Sequence, residues 1–356
     1  MANRVNLKDL EPGMRVAGSA CVRSKQAGTT RRGDSFLTVE LGNRTGAIKT
    51  KIWPEALRAW DSVAVGAPIE LEGEVVQGWQ GGAPELRIQQ FNLLPSGDPI
   101  ALELNPHCPI ERDVLEDRFN AHVERISRWQ ARYLLNAVLD HVGRERYDTA
   151  PAALKLHHNY ISGLLEHSIE VADIATSLSH TEPYHELLDI DALIVLCLLH
   201  DIGKCFEYEW TAGPIRMSSS GRLSPHVCRG TEIVAAAVAG IGIHRAGISP
   251  LDYRLLQHAI ASHHMTREWG SPVPPRTPEA LLLHISDLAS SRLKAMADDL
   301  AESPQDENHW VHPTGWNRDP VWHFREAIRV EEVLGRAYSN EFDIDTFTAD
   351  AGGSDA

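Results

Sequence analysis

The segment LLHDIGK, residues 198–204, sets a histidine and an aspartate side by side at the end of an apolar run, ALIVLCLL. Such a run predicts that His200 and Asp201 lie at the buried end of a helix. A buried carboxylate without a partner is energetically costly, so a compensating charge is expected there, and a metal ion is one candidate. A His-Asp dipeptide alone carries little information, and the rest of the chain has to supply the context.

Further imidazole and carboxylate groups fall on helix faces that should point inward. His167 shares a face with apolar residues at steps of three and four, and His226 lies in the first turn of a predicted helix. His263 and His264 end another predicted helix, and Asp287 interrupts an otherwise apolar one. Two carboxylates in apolar helices now need compensation.

These groups form one potential ligand set on five predicted helices: His167, His200, Asp201, His226, His263 or His264, and Asp287. Mixed nitrogen and oxygen ligands without thiolates favour Mn²⁺, with Fe²⁺, Co²⁺ or Zn²⁺ as alternatives. Six groups exceed what one ion takes in an open catalytic site, so two ions bridged by Asp201 are expected. If each group were instead an ordinary core or surface residue, the two aspartates would remain unexplained.

The elements that position these groups are helical, whereas the start of the chain is rich in strands. Period-two alternation marks four segments, residues 35–42, 46–53, 68–79 and 84–94. Four or five short strands in about ninety residues are typical of an oligonucleotide-binding (OB) barrel. Helical periodicity begins at Glu111 and puts Leu115, Phe119 and Tyr133 near one face. The fold class is therefore multidomain, a small all-β OB-type barrel followed by an all-α bundle.

Changes in composition divide the chain into four segments. They are a barrel domain at 1–96, a linker with leading helices at 97–150, the histidine-rich helical domain at 151–297 and an acidic extension with three tryptophans at 298–356. An OB barrel grips single strands with basic side chains and stacking aromatics. The candidates are Arg23, Lys25, Arg31, Arg32, Lys49, Lys51, Phe36, Trp53 and Trp79; the alternative is that the aromatics are core residues and the cations a solvated face.

Charge is unevenly distributed along the 356 residues, whose net charge is −15. Residues 1–95 hold 12 basic and 10 acidic side chains, whereas residues 297–356 hold 4 basic and 14 acidic ones. The acidic net charge argues against nucleic acid as a partner, but this argument does not apply to residues 1–95, where basic side chains outnumber acidic ones. We expect a cytoplasmic protein with reduced cysteines, because there is no membrane-length apolar run, no apolar signal-peptide core and no CxxC spacing.

The motifs NYISGLLEHSIEVA, LLHDIGK, HH followed by EWGSPVPP, and EALLLHISDL together resemble HD-domain phosphohydrolases, in particular the YhaM family of 3′-to-5′ exoribonucleases. In the barrel region LGNRTGAIKTKIW and IELEGEVV are similar to the OB segment of that family. The resemblance covers roughly residues 12–296 and implies metal ligands at the positions given above. Two features depart from it: Ser162 stands where similar sequences often have glycine, and the tryptophan-bearing tail has no counterpart.

Stepwise removal of nucleoside 5′-monophosphates from the 3′ end of single-stranded RNA, or of DNA, is the expected activity. Asp201 is the central catalytic group, and Lys204 is a candidate for contact with a phosphate oxygen or for a helix-end cation. His157 and His158 are candidates for phosphate contacts at the mouth or for orienting the ligands. The alternatives are hydrolysis of a small or cyclic nucleotide, a nucleic-acid-binding regulator, and oxygenation at a di-iron site. A homo-oligomer is left open.

Overall fold

The structure is a computed structural model that describes residues 6–7, 10–30, 33–78, 82–95, 100–154, 157–210, 215–242, 249–302, 306, 310–311 and 320–322. Among these residues no helix combines the length and the apolar character that a bilayer crossing requires. The candidates Arg31, Arg32 and Trp79 and most of the acidic extension lie outside the described residues.

Five strands of the N-terminal part close into a barrel in the order β1-β2-β3-β5-β4. They are β1 (Arg15–Thr29), β2 (Ser35–Asn43), β3 (Gly46–Ile52), β4 (Pro68–Val76) and β5 (Glu85–Leu93). Neighbours are antiparallel except β3 and β5, which meet in parallel at Lys49 and Glu85. Strand β1 pairs with β4 along its first half and with β2 along its second half, which closes the barrel. The predicted OB-type barrel is confirmed.

Alternating side chains explain why these segments form a barrel. Val39 and Leu41 of β2 point into a core that also takes Ile48 and Ile52 of β3, and all four are buried. Helix α1 (Leu57–Asp61) follows β3 and adds the buried ring of Trp60 to the same core. The barrel therefore has its own hydrophobic core.

The rest of the described chain is predominantly helical. The helices are α2 (Ile100–Glu103), α3 (Arg112–Arg125), α4 (Trp129–Val142), α5 (Arg144–Thr149), α6 (Gly163–Leu178), α7 (Ile190–Leu199), α8 (Lys204–Glu207), α9 (Ser219–Leu223), α10 (His226–Ile241), α11 (Pro250–Ser262) and α12 (Pro278–Glu302). Short 3₁₀ turns cover Tyr184–Leu187 and Arg267–Trp269, and two-residue strands pair as β6 (Tyr208–Glu209) with β7 (Arg216–Met217) and β8 (Trp310–Val311) with β9 (Val321–Trp322).

Helix α7 lies at the centre of the helical core. Its residues from Leu193 to Leu199 are all buried, packed against α6, α4, α11 and α12. A helix covered on every side needs no polar face, and this accounts for its uniformly apolar sequence. The core is separate from that of the barrel.

The leading helical segment is broken where its sequence shows continuous periodicity. Helix α3 ends at Arg125 and α4 begins at Trp129, because the carboxylate of Asp191 accepts hydrogen bonds from the backbone N–H groups of Ser127 and Arg128. The break rotates α4, and Tyr133, predicted on the shared apolar face, is 42% exposed. That prediction was wrong for Tyr133.

The strand predictions agree with β2 to β5, but β1 was not placed from the sequence. Five consecutive residues of β1, from Gly18 to Val22, are buried, so the alternation that marks a half-buried strand is missing. The four domain boundaries remain predictions. The last barrel strand ends at Leu93, and α3 and α4 contribute to the same core as the histidine-bearing helices.

Candidate metal centre

His200 and Asp201 lie where α7 ends and the chain turns into α8. Gly203 in this turn approaches α10 so closely that a Cβ atom there would lie 2.0 Å from the carbonyl oxygen of His226. Only a residue without a side chain permits this approach. Gly230, the next small residue of α10, lies over the same turn. The contact brings the first residue of α10, His226, to the carboxylate of Asp201.

The two carboxylate oxygens of Asp201 face two different pairs of imidazoles. Oδ2 lies 3.3 Å from Nε2 of His200 and 3.6 Å from Nε2 of His167. Oδ1 lies 3.5 Å from Nε2 of His226 and 3.6 Å from Nε2 of His263. A carboxylate that divides its oxygens between two sets of ring nitrogens can serve two ions at once.

Asp287 reaches the same place from α12. Its Oδ1 lies 3.2 Å from Nε2 of His167 and 4.0 Å from Nε2 of His200. The two predicted carboxylates, Asp201 and Asp287, therefore lie against the same two histidines.

Fixed acceptors orient the rings through their second nitrogen. His200 Nδ1 lies 2.9 Å from the carbonyl oxygen of Cys197, and His263 Nδ1 lies 2.8 Å from that of Ile260. A carbonyl can only accept, so Nδ1 carries the proton and Nε2 of the neutral ring presents a lone pair. Metal-binding histidines commonly have this arrangement.

Several inward-facing atoms of the cluster are buried and lack a hydrogen-bond partner among the described residues. They are Oδ1 of Asp201 and the Nε2 atoms of His167, His200, His226 and His263. Lone pairs of ring nitrogens and carboxylate oxygens repel one another at these distances unless a proton or a cation lies between them. The donor set therefore fits divalent metal ions.

Burial is the largest influence on the titration of these groups. It lowers the pKa of His167 to about 4 and also lowers the pKa of His263, which keeps both rings neutral at pH 7. Burial opposes ionisation of Asp287, but the neighbouring rings of His167 and His200 outweigh it and hold its pKa well below its usual range. At His200 burial is likewise outweighed, because the charge of Asp201 raises the pKa of this ring. The neutral rings of His167 and His263 beside anionic carboxylates are in the protonation states that metal binding requires.

A comparison with protein families relates the part of the chain that contains this cluster to a known domain. The family model of the HD domain matches residues 164–291, a span that contains all seven predicted ligand positions. We refer to this matched span as the HD domain.

Whole-length relatives extend the comparison to the barrel. The chain is 29% identical over 295 residues to a 3′-5′ exoribonuclease YhaM of Listeria innocua, a match that covers 82% of this chain and 89% of the relative. It is 28% identical over 294 residues to a 3′-5′ exoribonuclease YhaM of a Geobacillus species, covering 80% and 84% of the two chains. The resemblance to YhaM proteins is confirmed.

Two solved structures that resemble the chain each cover about a quarter of it. The second OB-fold domain of replication protein A from Methanococcus maripaludis has 23% identity and a TM-score of 0.21, and the match covers 25% of this chain and 93% of that one. A mitochondrial single-stranded DNA-binding protein from S. cerevisiae has 13% identity and a TM-score of 0.20, with 24% and 97% covered.

Lys204 of the HD domain is buried against the cluster. Its Nζ lies 2.6 Å from Oδ2 of Asp201. Burial would lower the pKa of this ammonium group, but the charge of Asp201 outweighs it and raises the pKa, while Lys204 and His200 together hold the pKa of Asp201 well below its usual range. Lys204 is therefore a charged partner of Asp201 and not only a helix-end cation.

The sequence left open whether His263 or His264 belongs to the set, and the structure brings both rings to Asp201. One ligand atom each of Asp201, His226, His263 and His264 falls within 4.8 Å of the others. His264 Nδ1 donates to the carbonyl oxygen of Trp269 at 2.6 Å, as the Nδ1 atoms of His200 and His263 donate to backbone carbonyl oxygens.

Sequence reasoning missed three side chains that orient the ligands. Glu207 accepts from Nδ1 of His226 at 2.7 Å. The hydroxyl of Ser290 lies 3.1 Å from Nδ1 of His167 and donates to Glu170 at 2.8 Å. The sequence spacing could have indicated two of them. Glu207 lies seven residues after His200, and Glu170 lies about one helical turn after His167 on the same helix.

His157 and His158, predicted near the mouth, occupy different environments. His157 lines the cavity described below, and burial together with the neighbouring His167 strongly lowers its pKa. His158 is completely buried with Nε2 3.2 Å from Oε2 of Glu170, so the predicted position at the mouth was wrong for this residue.

A cavity of about 230 Å³ opens onto the cluster. Its ionisable wall carries His157, Lys204, His264, His284, Asp287 and Arg292, and the remaining lining is Trp269, Leu288, Ser291 and Ala295. A substrate in this cavity would meet Asp287 and Lys204 directly.

The barrel candidates fall into two groups. Phe36 and Trp53 lie together with ring centroids 5.7 Å apart, and Trp53 is 45% exposed. Lys49 is exposed, and Lys51 pairs with Glu85 at 2.7 Å.

Arg23 and Lys25 are engaged by the protein's own backbone. Arg23 Nη2 donates to the carbonyl oxygen of Asn43 at 2.8 Å, and Lys25 Nζ donates to those of Trp60 and Val63 at 2.7 and 2.8 Å. These bonds close the barrel and occupy donors that the sequence prediction gave to phosphates. For both residues the structure favours a structural role.

Proposed function

We propose that this protein is a metal-dependent exonuclease that removes nucleoside 5′-monophosphates stepwise from the 3′ end of single-stranded RNA. Single-stranded DNA is a second possible substrate, and a comparison of the two degradation rates tests it. The observation that carries the proposal is the position of Asp201, whose two oxygens face separate imidazole pairs in a cavity-lining cluster of an HD domain. The relatives named YhaM exoribonucleases, which match both the barrel and the helical part, support the choice of reaction.

Two divalent ions fit the donors of the cluster, with Mn²⁺ favoured and Fe²⁺ or Co²⁺ as alternatives. His167, His200 and Asp287 would hold one ion, His226, His263 and His264 the other, and Asp201 both. Such ions activate water and neutralise charge on a phosphodiester.

The side chains around the cluster have separable tasks in this proposal. Asp287 and Asp201 stay anionic, the state in which they would bind the ions, while Lys204 lies on the cavity wall where its ammonium group can contact a phosphate oxygen. His157, kept neutral by burial, can accept or donate one hydrogen bond to substrate.

The barrel supplies the grip on a polymer. The exposed ring of Trp53 beside Phe36 offers a stacking surface, and Lys49 and Lys51 lie on the strand that leads to it. An RNA-degrading enzyme of this kind would act in the cytoplasm; its oligomeric state stays a prediction.

The test is degradation of 5′-labelled single-stranded RNA with Mn²⁺ by the wild-type protein and by Asp201→Asn. We expect a ladder shortened from the 3′ end, lost in the variant, and metal analysis should find about two ions per wild-type chain and fewer in the variant. A metal-loaded wild-type protein that leaves RNA intact would refute the proposal.

A second candidate is hydrolysis of a small or cyclic nucleotide, with the barrel serving assembly. It is favoured by the cavity, whose described lining comes from the helical part alone. The double variant Phe36→Ala/Trp53→Ala separates the two. Slower loss of nucleotides from long RNA with unchanged cleavage of a dinucleotide supports the exonuclease, and equal rates on both substrates support the second candidate.

A further inference from the structure

An exposed tryptophan lies on the wall of the cavity. Trp269 is 53% exposed, whereas Trp60 and Trp210 are almost fully buried. It lines the cavity together with Asp287 and Lys204, so it borders the space that a bound substrate would occupy. An aromatic ring left open to solvent beside ionisable groups has no role in the hydrophobic core.

The turn that carries Trp269 is fixed to the metal cluster. The carbonyl oxygen of Trp269 accepts from Nδ1 of His264 at 2.6 Å, and the hydroxyl of the buried Ser271 accepts from the backbone N–H of His264 at 3.0 Å. Gly270 between them has φ +100°, the left-handed conformation that suits glycine. The backbone of Trp269 is therefore held at a set place relative to a proposed ligand.

The cavity lining combines charged residues, which suit a phosphate, with apolar residues, which suit a base. Phosphate matches the cluster and the cations, whereas Trp269, Leu288 and Ala295 offer apolar contacts. A flat aromatic face binds a flat base by stacking, and it does so with all four bases because each has a π face. An inorganic phosphate or a sugar phosphate would leave this part of the cavity unused.

We infer that Trp269 stacks on the base of the 3′-terminal nucleotide and so forms the subsite for the nucleoside that is removed. The inference rests on the proposed exonuclease function and adds the group that recognises the leaving nucleotide. Stacking would hold each new terminal base in the same position, so stepwise removal is expected to show little sequence preference.

The test compares two RNA substrates that differ only at the 3′ end, where one carries a normal nucleotide and the other an abasic ribose. Wild-type protein should remove the normal terminus about tenfold faster. Trp269→Ala should slow removal of the normal terminus by about the same factor and leave the abasic terminus unchanged. Trp269→Phe should retain most of the preference, and Trp269→Leu, which keeps apolar bulk without a π face, should lose it.

Trp129→Ala is the matched control, because Trp129 is 54% exposed and is not among the residues that line the cavity. It should retain both rates. Equal slowing of both termini by Trp269→Ala would assign the residue to maintenance of the His264 turn and overturn the inference, and so would no effect on either.

A binding measurement keeps the inference independent of catalysis. Calorimetry should find AMP bound more tightly than ribose 5-phosphate by the wild-type protein, with the difference lost in Trp269→Ala. If the wild-type protein binds AMP in this way but does not degrade RNA, the proposed exonuclease function is refuted and the inferred stacking subsite is not. If the protein degrades RNA but binds AMP no more tightly than ribose 5-phosphate, only the inferred subsite is refuted.

Discussion

Ser162, two residues before the span matched by the HD domain model, adopts a conformation that its side chain does not favour. Ser162, which precedes α6, has φ 66° and ψ 11°, in the left-handed region. This region is costly for residues with a Cβ atom and free of that cost for glycine. The conformation favours glycine at this position, and it identifies a local strain next to the helix that carries His167.

Ser162→Gly should therefore stabilise the protein by about 0.5 to 1 kcal/mol, because removal of the strain exceeds the entropy that glycine adds to the unfolded chain. Urea unfolding measures the free energy change. Ser177→Gly is the control, since Ser177 lies exposed inside α6 in the right-handed conformation, and this change should destabilise by about 0.5 to 1 kcal/mol. A loss of stability in Ser162→Gly would contradict the strain argument.

At the scale of elements, one carboxylate joins the leading helices to the central helix. Asp191 in the first turn of α7 accepts from the backbone N–H groups of Ser127 and Arg128 and from the Ser127 hydroxyl, at 2.7 to 2.9 Å. Burial opposes ionisation of Asp191, but these hydrogen bonds outweigh it and lower its pKa. The lowered pKa means that the anionic form stabilises the fold.

Asp191→Asn should destabilise the protein by about 1 to 3 kcal/mol at pH 7. Because the pKa is lower in the folded chain, this contribution is complete above the unfolded pKa of about 3.9 and is lost as the pH falls through the folded value. Urea unfolding at pH 7, 5 and 3.5 should find the difference from wild type nearly constant down to pH 5 and smaller at pH 3.5. Asp140→Asn on the exposed side of α4 should change stability little at any pH, and a constant difference for Asp191→Asn would contradict the assignment.

At the scale of the whole molecule, the barrel and the helical part have separate cores, and among the described residues the clusters of potential ligands lie in the helical part. Asp201 and Asp287 place two carboxylates in its interior, and Lys204 compensates only one of them directly. Without bound cations the helical part should therefore be the less stable half, because unpaired buried charge is costly.

Manganese should raise the unfolding temperature of the helical part and leave the barrel transition unchanged. A ligand present at 100 times its dissociation constant stabilises by about 2.7 kcal/mol, which for a domain of this size corresponds to roughly 5 to 10 °C. Calorimetry of chelator-treated protein with and without Mn²⁺ measures the shift. In Asp201→Asn the shift should be largely lost while the metal-free variant stays folded; an unchanged transition in the wild type would contradict a metal site in the interior.

Most of the scaffold and nearly all of the cluster were predictable from local patterns. Strands β2 to β5 alternate, and the ligand positions stood out because His200, Asp201 and Asp287 interrupt apolar helices. Patterns of this kind are readable because burial on one face imposes a period on the sequence.

Other features follow from contacts between distant segments and leave no period in the sequence. The break at Ser127 depends on Asp191, 64 residues later, and Lys25 is bound by carbonyl oxygens 35 and 38 residues away. Glu207 became a partner of His226 only because Gly203 lets α10 approach.

The sequence by itself determined which residue types are available for metal and phosphate chemistry, because polar groups in apolar helices are costly unless something compensates them. The tertiary structure alone decided how they are shared. It turned the two oxygens of Asp201 toward different histidines and directed Lys204 to that carboxylate. It also left Trp269 exposed to solvent in the cavity lining. Those outcomes depend on distances of a few ångströms between helices, which only packing of the whole core fixes.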